Sequence, residues 1–112
     1  ASILSNQVIA VLDMGYTLLE DCGFTRNEAV RATGQLVMRN IENVLEAGCD
    51  GALTGPIERN DIETVKKHIA CMQNDYSDDV RLYKMLGTKL VNIAEKKNPD
   101  KDYTQMMELL RG

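Results

Sequence analysis

Apolar residues recur three and four positions apart along almost the whole chain, and no stretch alternates with period two for long enough to make a strand. Such spacing gathers the apolar side chains on one face of a helix, so the chain is expected to fold as an all-α protein. Ile3, Leu4, Val8, Val11, Leu12, Leu18 and Leu19 mark a first helix from about Ser2 to Cys22, stopped by Gly23. Thr25-Arg26-Asn27-Glu28 has the form of a capping box, and the helix it opens runs to about Ala47, with Gly48 as its stop. Asn60 as N-cap, with Glu63 three residues on, opens a third helix carrying Ile62, Val65, Ile69 and Met72 and ending near Gln73 or Asn74. A polar turn follows, with Ser77 or Asp78 capping a fourth helix that carries Val80, Tyr83, Leu86, Leu90, Ile93 and Ala94. Asn98-Pro99 breaks it, and a short fifth helix from about Asp100 or Asp102 to Leu110 carries Tyr103, Met106 and Met107. The expected architecture is a bundle of about five helices, two long antiparallel ones followed by three shorter ones. Gly15, Gly34 and Gly87 sit inside helices, where glycine costs about 1 kcal/mol against alanine, and close helix contacts are expected there.

The bulk properties narrow the function. At 112 residues the chain is read as a single domain, 1–112, with an aliphatic core. The net charge is −4: three basic and seven acidic residues lie up to Pro56, and ten of each from Ile57 onward. Neither part has the basic surface that nucleic acid needs, and no apolar run could span a membrane. Three scattered cysteines, Cys22, Cys49 and Cys71, form no C-x-x-C pair and fit neither a disulfide framework nor a zinc site. They are expected to be buried free thiols in a reducing cytoplasm. The chain does not begin with methionine, so it is expected to be part of a longer protein.

The chemistry concentrates in Gly51–Thr64, the long interruption between helical patterns. Thr54-Gly55-Pro56 makes an ordered turn, and Asn60 tolerates a left-handed backbone. The helix that follows offers unpaired N–H groups to a carboxylate or phosphate, which Arg59 could also bind. Asp61 and Thr64 lie at the same helix entry. The alternative is a well-made helix start with Arg59 paired to Asp61 or Glu63. His68, the one histidine, would carry any Ser-His-Asp or Cys-His arrangement, as in a small hydrolase, or else serves structure. Asn6, beside Ser5, could hold a carbonyl or hydroxyl of a ligand, or be ordinary helix surface. The acid pairs Glu20-Asp21 and Asp78-Asp79 read as solvated surface. No catalytic residue and no metal ligand set is assigned.

Ala52-Leu53-Thr54-Gly55-Pro56-Ile57, followed by Arg59, Asp61, Thr64-Val65 and His68, resembles the A-L-T-G-P-[IV]-x-R-G-D-x-x-T-V-x-x-H signature of a known domain. That domain is the helical C-terminal part of a family of Rossmann-type, reductase-like proteins of uncharacterised function. Ala1 with Ser5-Asn6 resembles its A-x-x-x-S-N opening, and Tyr83 with Leu86-Gly87 its Y-x-x-L-G element. Asn60 stands where the pattern has glycine, and both residues accept positive φ. Wider relatives are pyrroline-5-carboxylate reductase, ketopantoate reductase and the 6-phosphogluconate dehydrogenase C-terminal domain. The resemblance implies a bundle of that last kind, which forms a homodimer and closes a small-molecule substrate cleft against an N-terminal Rossmann domain. It places Asn6, Thr54, Gly55, Arg59, Asp61, Thr64 and His68 at the cleft. NADP is implied for the full-length protein. No G-x-G-x-x-G follows a strand in these residues, so no cofactor site is placed on this chain. Alone, the chain is expected to be inactive and cytoplasmic. The competing expectation is a free-standing helical interaction module without catalytic role.

Overall fold

A computed structural model describes residues 1–72 and 77–112. A π-helical turn, Ile3–Gln7, runs directly into α1 (Val8–Asp21). It is followed by α2 (Arg26–Ala52), α3 (Ile62–Met72), α4 (Ser77–Lys97) and α5 (Thr104–Arg111). No strand occurs among the described residues, and the fold is all-α as the apolar spacing requires. The end of the third helix expected near Gln73 or Asn74, and the expected capping by the Ser77 side chain, lie outside what is described. Asp78 instead pairs with Arg81 along the first turn of α4. The chain divides into two compact units, Ala1–Glu42 and Asn43–Gly112.

The first unit is a helical hairpin. Ser5 Oγ donates to the Ala1 carbonyl (3.3 Å), a local competitor of the helical ladder within the wide π turn. Gly23, at φ 106°, ends α1: its N–H donates to the Glu20 carbonyl and that of Phe24 to the Leu19 carbonyl, a Schellman closure. The capping box forms as expected. The Thr25 N–H donates to Glu28 Oε1 (2.9 Å) and the Glu28 N–H to Thr25 Oγ1 (3.1 Å). The Thr25 N–H first, and its hydroxyl second, hold the Glu28 carboxyl below its ordinary pKa. Arg26 then reaches back to Asp13 (3.0 Å), Glu20 (2.8 Å) and Thr17 (3.2 Å), its guanidinium 5.6 Å from the Tyr16 ring centre. Val11, Leu12, Gly15 and Leu19 of α1 face Thr33, Leu36 and Val37 of α2 across an open apolar groove of about 210 Å³. Ala29 is this unit's one buried apolar residue.

Two expectations fail in this region. A Cβ added to Gly15 or Gly34 would meet nothing within 4 Å, so neither glycine serves a close helix contact inside the chain. Cys22 is exposed at the hairpin turn, and Cys49 and Cys71 are exposed as well.

The second unit holds a conventional core. Gly48 (φ 79°, ψ 172°) breaks α2 where a stop was expected, but helical structure resumes for one turn to Ala52. Val65, Ile69 and Met72 of α3 are buried, as are Val80, Val91 and Ala94 of α4 and Met106 and Leu110 of α5. Ile57 and Tyr103, from the two connections, complete the core. Gly87 does what interior glycines were expected to do. A Cβ there would lie 2.8 Å from Leu110 Cδ2 and 3.3 Å from Ile57 Cδ1, so α4 meets α5 and the loop without a side chain between them.

Candidate functional site

The loop between α2 and α3 is shaped by two residues with positive φ, Gly55 (99°) and Asn60 (61°). The left-handed conformation expected of Asn60 is present, one that asparagine adopts more readily than most residues. Between these points the backbone closes on itself. The Arg59 N–H donates to the Gly55 carbonyl, that of Asn60 to Ile57, and that of Asp61 to Pro56 (2.8 Å).

Side chains from the far end of the unit fasten this loop. The Tyr103 hydroxyl, on a residue only 2% exposed, donates to the Glu58 carbonyl at 2.6 Å. Asn98 Nδ2 donates to the Tyr103 oxygen (3.0 Å) and to Glu58 Oε1 (3.2 Å). Lys97 Nζ donates to the Leu53 carbonyl (2.7 Å) and lies 3.7 Å from Glu58 Oε1. Asn60 Nδ2 donates to the Asp102 carbonyl (2.8 Å), while its Oδ1 is buried without a partner. Lys97 thus spends its charge on the loop as well as on the C-terminal end of α4.

The helix entry differs from the expectation. Asp61, not Asn60, caps α3: its Oδ1 accepts the Thr64 N–H (3.2 Å) and its Oδ2 the Thr64 hydroxyl (2.7 Å). The reason is conformational. With Asn60 left-handed and its amide turned to Asp102, the next residue is the one whose oxygen reaches the free N–H groups. The Thr64 hydroxyl first, and its N–H second, hold the Asp61 carboxyl below its ordinary pKa. Thr64, rather than Glu63, takes the third helical position. Arg59 Nη2 sits 3.9 Å from Asp61 Oδ2 with more than half its side chain exposed, a loose pairing that leaves the guanidinium available.

His68 and Tyr83 join α3 to α4. His68 Nδ1 is 3.1 Å from the Tyr83 hydroxyl, and the rings meet edge to face with centres 5.9 Å apart. Burial raises the Tyr83 phenol above its ordinary pKa. Of the residues the sequence points to, Thr54, Gly55, Arg59, Asp61, Thr64 and His68 lie on the loop and the outer flank of α3. Asn6 belongs to the other unit, exposed in the π turn. The fastening residues Glu58, Lys97, Asn98 and Tyr103 were not foreseen. Their bonds to the loop span 40 to 45 positions, beyond any local signal. Among the described residues, no three His, Cys, Asp or Glu side chains gather as a metal site needs. No helix there is long and apolar enough to cross a membrane. The α3 N-terminus, a place where an anion could seat, already holds the Asp61 carboxylate.

Residues 1–90 match the family described as Domain of unknown function (DUF2520). The chain belongs to that family. The DUF2520 match takes in the loop, the Asp61 cap, His68 and Tyr83, and stops short of Lys97, Asn98 and Tyr103. No curated protein and no solved structure matches the chain.

Proposed function

We propose that this DUF2520 domain is the helical dimerisation and substrate-side part of an NAD(P)-dependent oxidoreductase, cytoplasmic and inactive alone. The observation that carries the reading is the apolar surface of the hairpin unit. Ile3, Leu4, Ile9, Leu36, Met38 and Ile41 are each about half exposed or more. Burying a large apolar side chain stabilises by about 1.5–3 kcal/mol, so leaving six of them this exposed forgoes several kcal/mol. That is a large share of the ~5–15 kcal/mol by which a domain is stable at all. A hairpin of this size needs a partner to bury its second face. The reading puts that face on the side of α2 turned from α1, where Gly34, Gln35, Met38, Arg39 and Glu42 line a shallow hollow.

The oxidoreductase element of the reading rests on the loop signature, and on Arg59, Thr64 and His68 standing together on one accessible side. A Rossmann domain elsewhere in the full-length protein would supply NADP and the opposing wall of the cleft.

Sedimentation equilibrium of the chain tests the dimer. Wild type is expected to be dimeric, and Gly34→Leu, at a position where an added Cβ meets nothing within 4 Å inside the chain, to weaken self-association at least tenfold with helicity retained. A wild-type monomer at ten-micromolar concentration sinks the dimer. Absence of NADPH binding by the full-length protein sinks the oxidoreductase assignment separately.

One observation favours the competing reading, a helical interaction module. Asp61 already fills the helix N-terminus that an anionic substrate would use. On that reading Arg59→Ala changes stability alone and leaves every ligand response of the full-length protein intact.

A further inference from the structure

α3 buries Val65, Ile69 and Met72 and leaves Asp61, Thr64 and His68 along one accessible flank, at helical steps of three and four. On that flank the His68 ring stands exposed, with Nδ1 3.1 Å from the hydroxyl of the half-buried Tyr83. The edge-to-face contact, with an interplanar angle of 84°, fixes the ring's orientation as well. Of the two groups the phenol is the better donor and a neutral imidazole nitrogen the better acceptor, so the bond runs from the tyrosine O–H to Nδ1. The hydrogen of the neutral imidazole must then sit on Nε2, on the side of the ring away from Tyr83. If the ring gains a proton, Nδ1–H donates to the tyrosine oxygen and Nε2 keeps its hydrogen. Burial keeps the phenol protonated throughout the range in which a histidine titrates.

We propose that Tyr83 is a positioning residue that locks His68 in the Nε2–H form. The imidazole is thereby a hydrogen-bond donor in both charge states, suited to an acceptor oxygen of a carbonyl or carboxylate ligand. This assignment separates His68 from two other roles. With Nδ1 engaged and Nε2 protonated, the neutral ring has no free lone pair with which to activate a nucleophile or bind a metal. The donor's use on a ligand rests on the reading that this flank faces a substrate cleft. The tautomer itself does not.

His68 is the only histidine, so long-range ¹⁵N–¹H correlation of its ring gives one readable pattern. Above the imidazole titration the wild-type chain is expected to show the Nε2–H tautomer alone. Tyr83→Phe keeps the ring contact and loses the hydroxyl, and is expected to relax to an exchanging mixture of tautomers. An Nδ1–H pattern in wild type, or the same mixture in both proteins, overturns the proposal. Acetate added to the same samples probes the carboxylate: a saturable shift at Nε2–H, weakened in Tyr83→Phe, is expected. A locked tautomer that acetate does not perturb leaves the positioning role standing and overturns the ligand role, and with it the cleft-facing reading of this flank.

Discussion

The hairpin unit and the C-terminal unit are built from the same local devices and end with opposite surfaces. Each opens a helix with a side-chain cap, Thr25 with Glu28 in one and Asp61 with Thr64 in the other. Each uses a positive-φ glycine to turn the chain, Gly23 or Gly55. Yet among the described residues ten of the eleven buried apolar ones lie in the C-terminal unit, and ten of the thirteen exposed large ones lie in the hairpin. Good caps and a periodic stripe therefore make helices without making a core. A core requires a third element, and only α3, α4 and α5 supply one to each other. On the proposed reading the hairpin finds its third element in a partner, whereas the C-terminal unit closes on itself.

The largest expected contrast comes from equal truncations in the two units. Met106→Ala, at a fully buried position, should cost about 2–5 kcal/mol in denaturant unfolding. Met38→Ala, at a position 61% exposed, should change the unfolding of the monomer by no more than about 0.5 kcal/mol. Its effect should appear in self-association instead. Equal losses in dilute monomer would show that the hairpin has its own core and erase the distinction.

Next in size is the fastening of the loop. Tyr103→Phe keeps the packing of the ring but strips the Glu58 carbonyl of its 2.6 Å partner, and should cost about 1–3 kcal/mol. Amide exchange at Arg59, Asn60 and Asp61 should accelerate while the hairpin amides stay unchanged. Acceleration spread over both units would mean that the fastening is not local.

Asn60 offers a finer comparison. Asn60→Ala loses the bond to the Asp102 carbonyl and keeps an unfavourable φ of 61°, at about 1–2 kcal/mol for the backbone alone. Asn60→Gly loses the same bond and, like alanine, the unpartnered buried Oδ1, but it also removes the backbone penalty. It should fall within about 1 kcal/mol of wild type, because an unsatisfied buried acceptor is itself worth about 1–3 kcal/mol. Thermal unfolding of the two variants ranks them directly, and alanine melting above glycine would refute this reading of the turn.

The smallest effect is acid sensitivity, expected in both units. Asp61 and Glu28 titrate below their ordinary values, chiefly through their bonds to Thr64 and Thr25 respectively. Carboxyls with lowered native pKa contribute stability that is full above the unfolded value and disappears as pH falls through the native one. Helicity should therefore decline below the ordinary carboxyl range, and Thr64→Ala should move the α3 part of that decline to higher pH. An unchanged profile in Thr64→Ala would remove the cap from the explanation.

Much of this was legible before any coordinates. The helices, the capping box at Thr25, the turn at Gly23, the break at Gly48 and the left-handed Asn60 all depend on neighbours within a few residues. The misreadings have a common cause. Asn60 and Asp61 are both good N-caps, and the choice fell to Asp61 because Asp102, forty-two positions away, captures the Asn60 amide. Gly15, Gly34 and Gly87 look alike along the chain. Only Gly87 has Leu110 and Ile57 pressed against it. The cysteines were assigned to the core from residue type, and each is exposed. Asn98 reads along the chain as part of a helix break and Tyr103 as a residue of the fifth helix, and they converge with Glu58 and Lys97 only once α4 and α5 return to the loop.

Local physics thus determined the helices, their ends and the chemistry crowded into Thr54–His68, because backbone hydrogen bonds and caps act over three or four residues. Assembly decided the rest: which acid caps α3, which glycine admits a neighbouring helix, and which apolar faces are covered. Those outcomes depend on contacts between residues more than twenty and up to forty-five positions apart, and spacing along the chain carries no record of them.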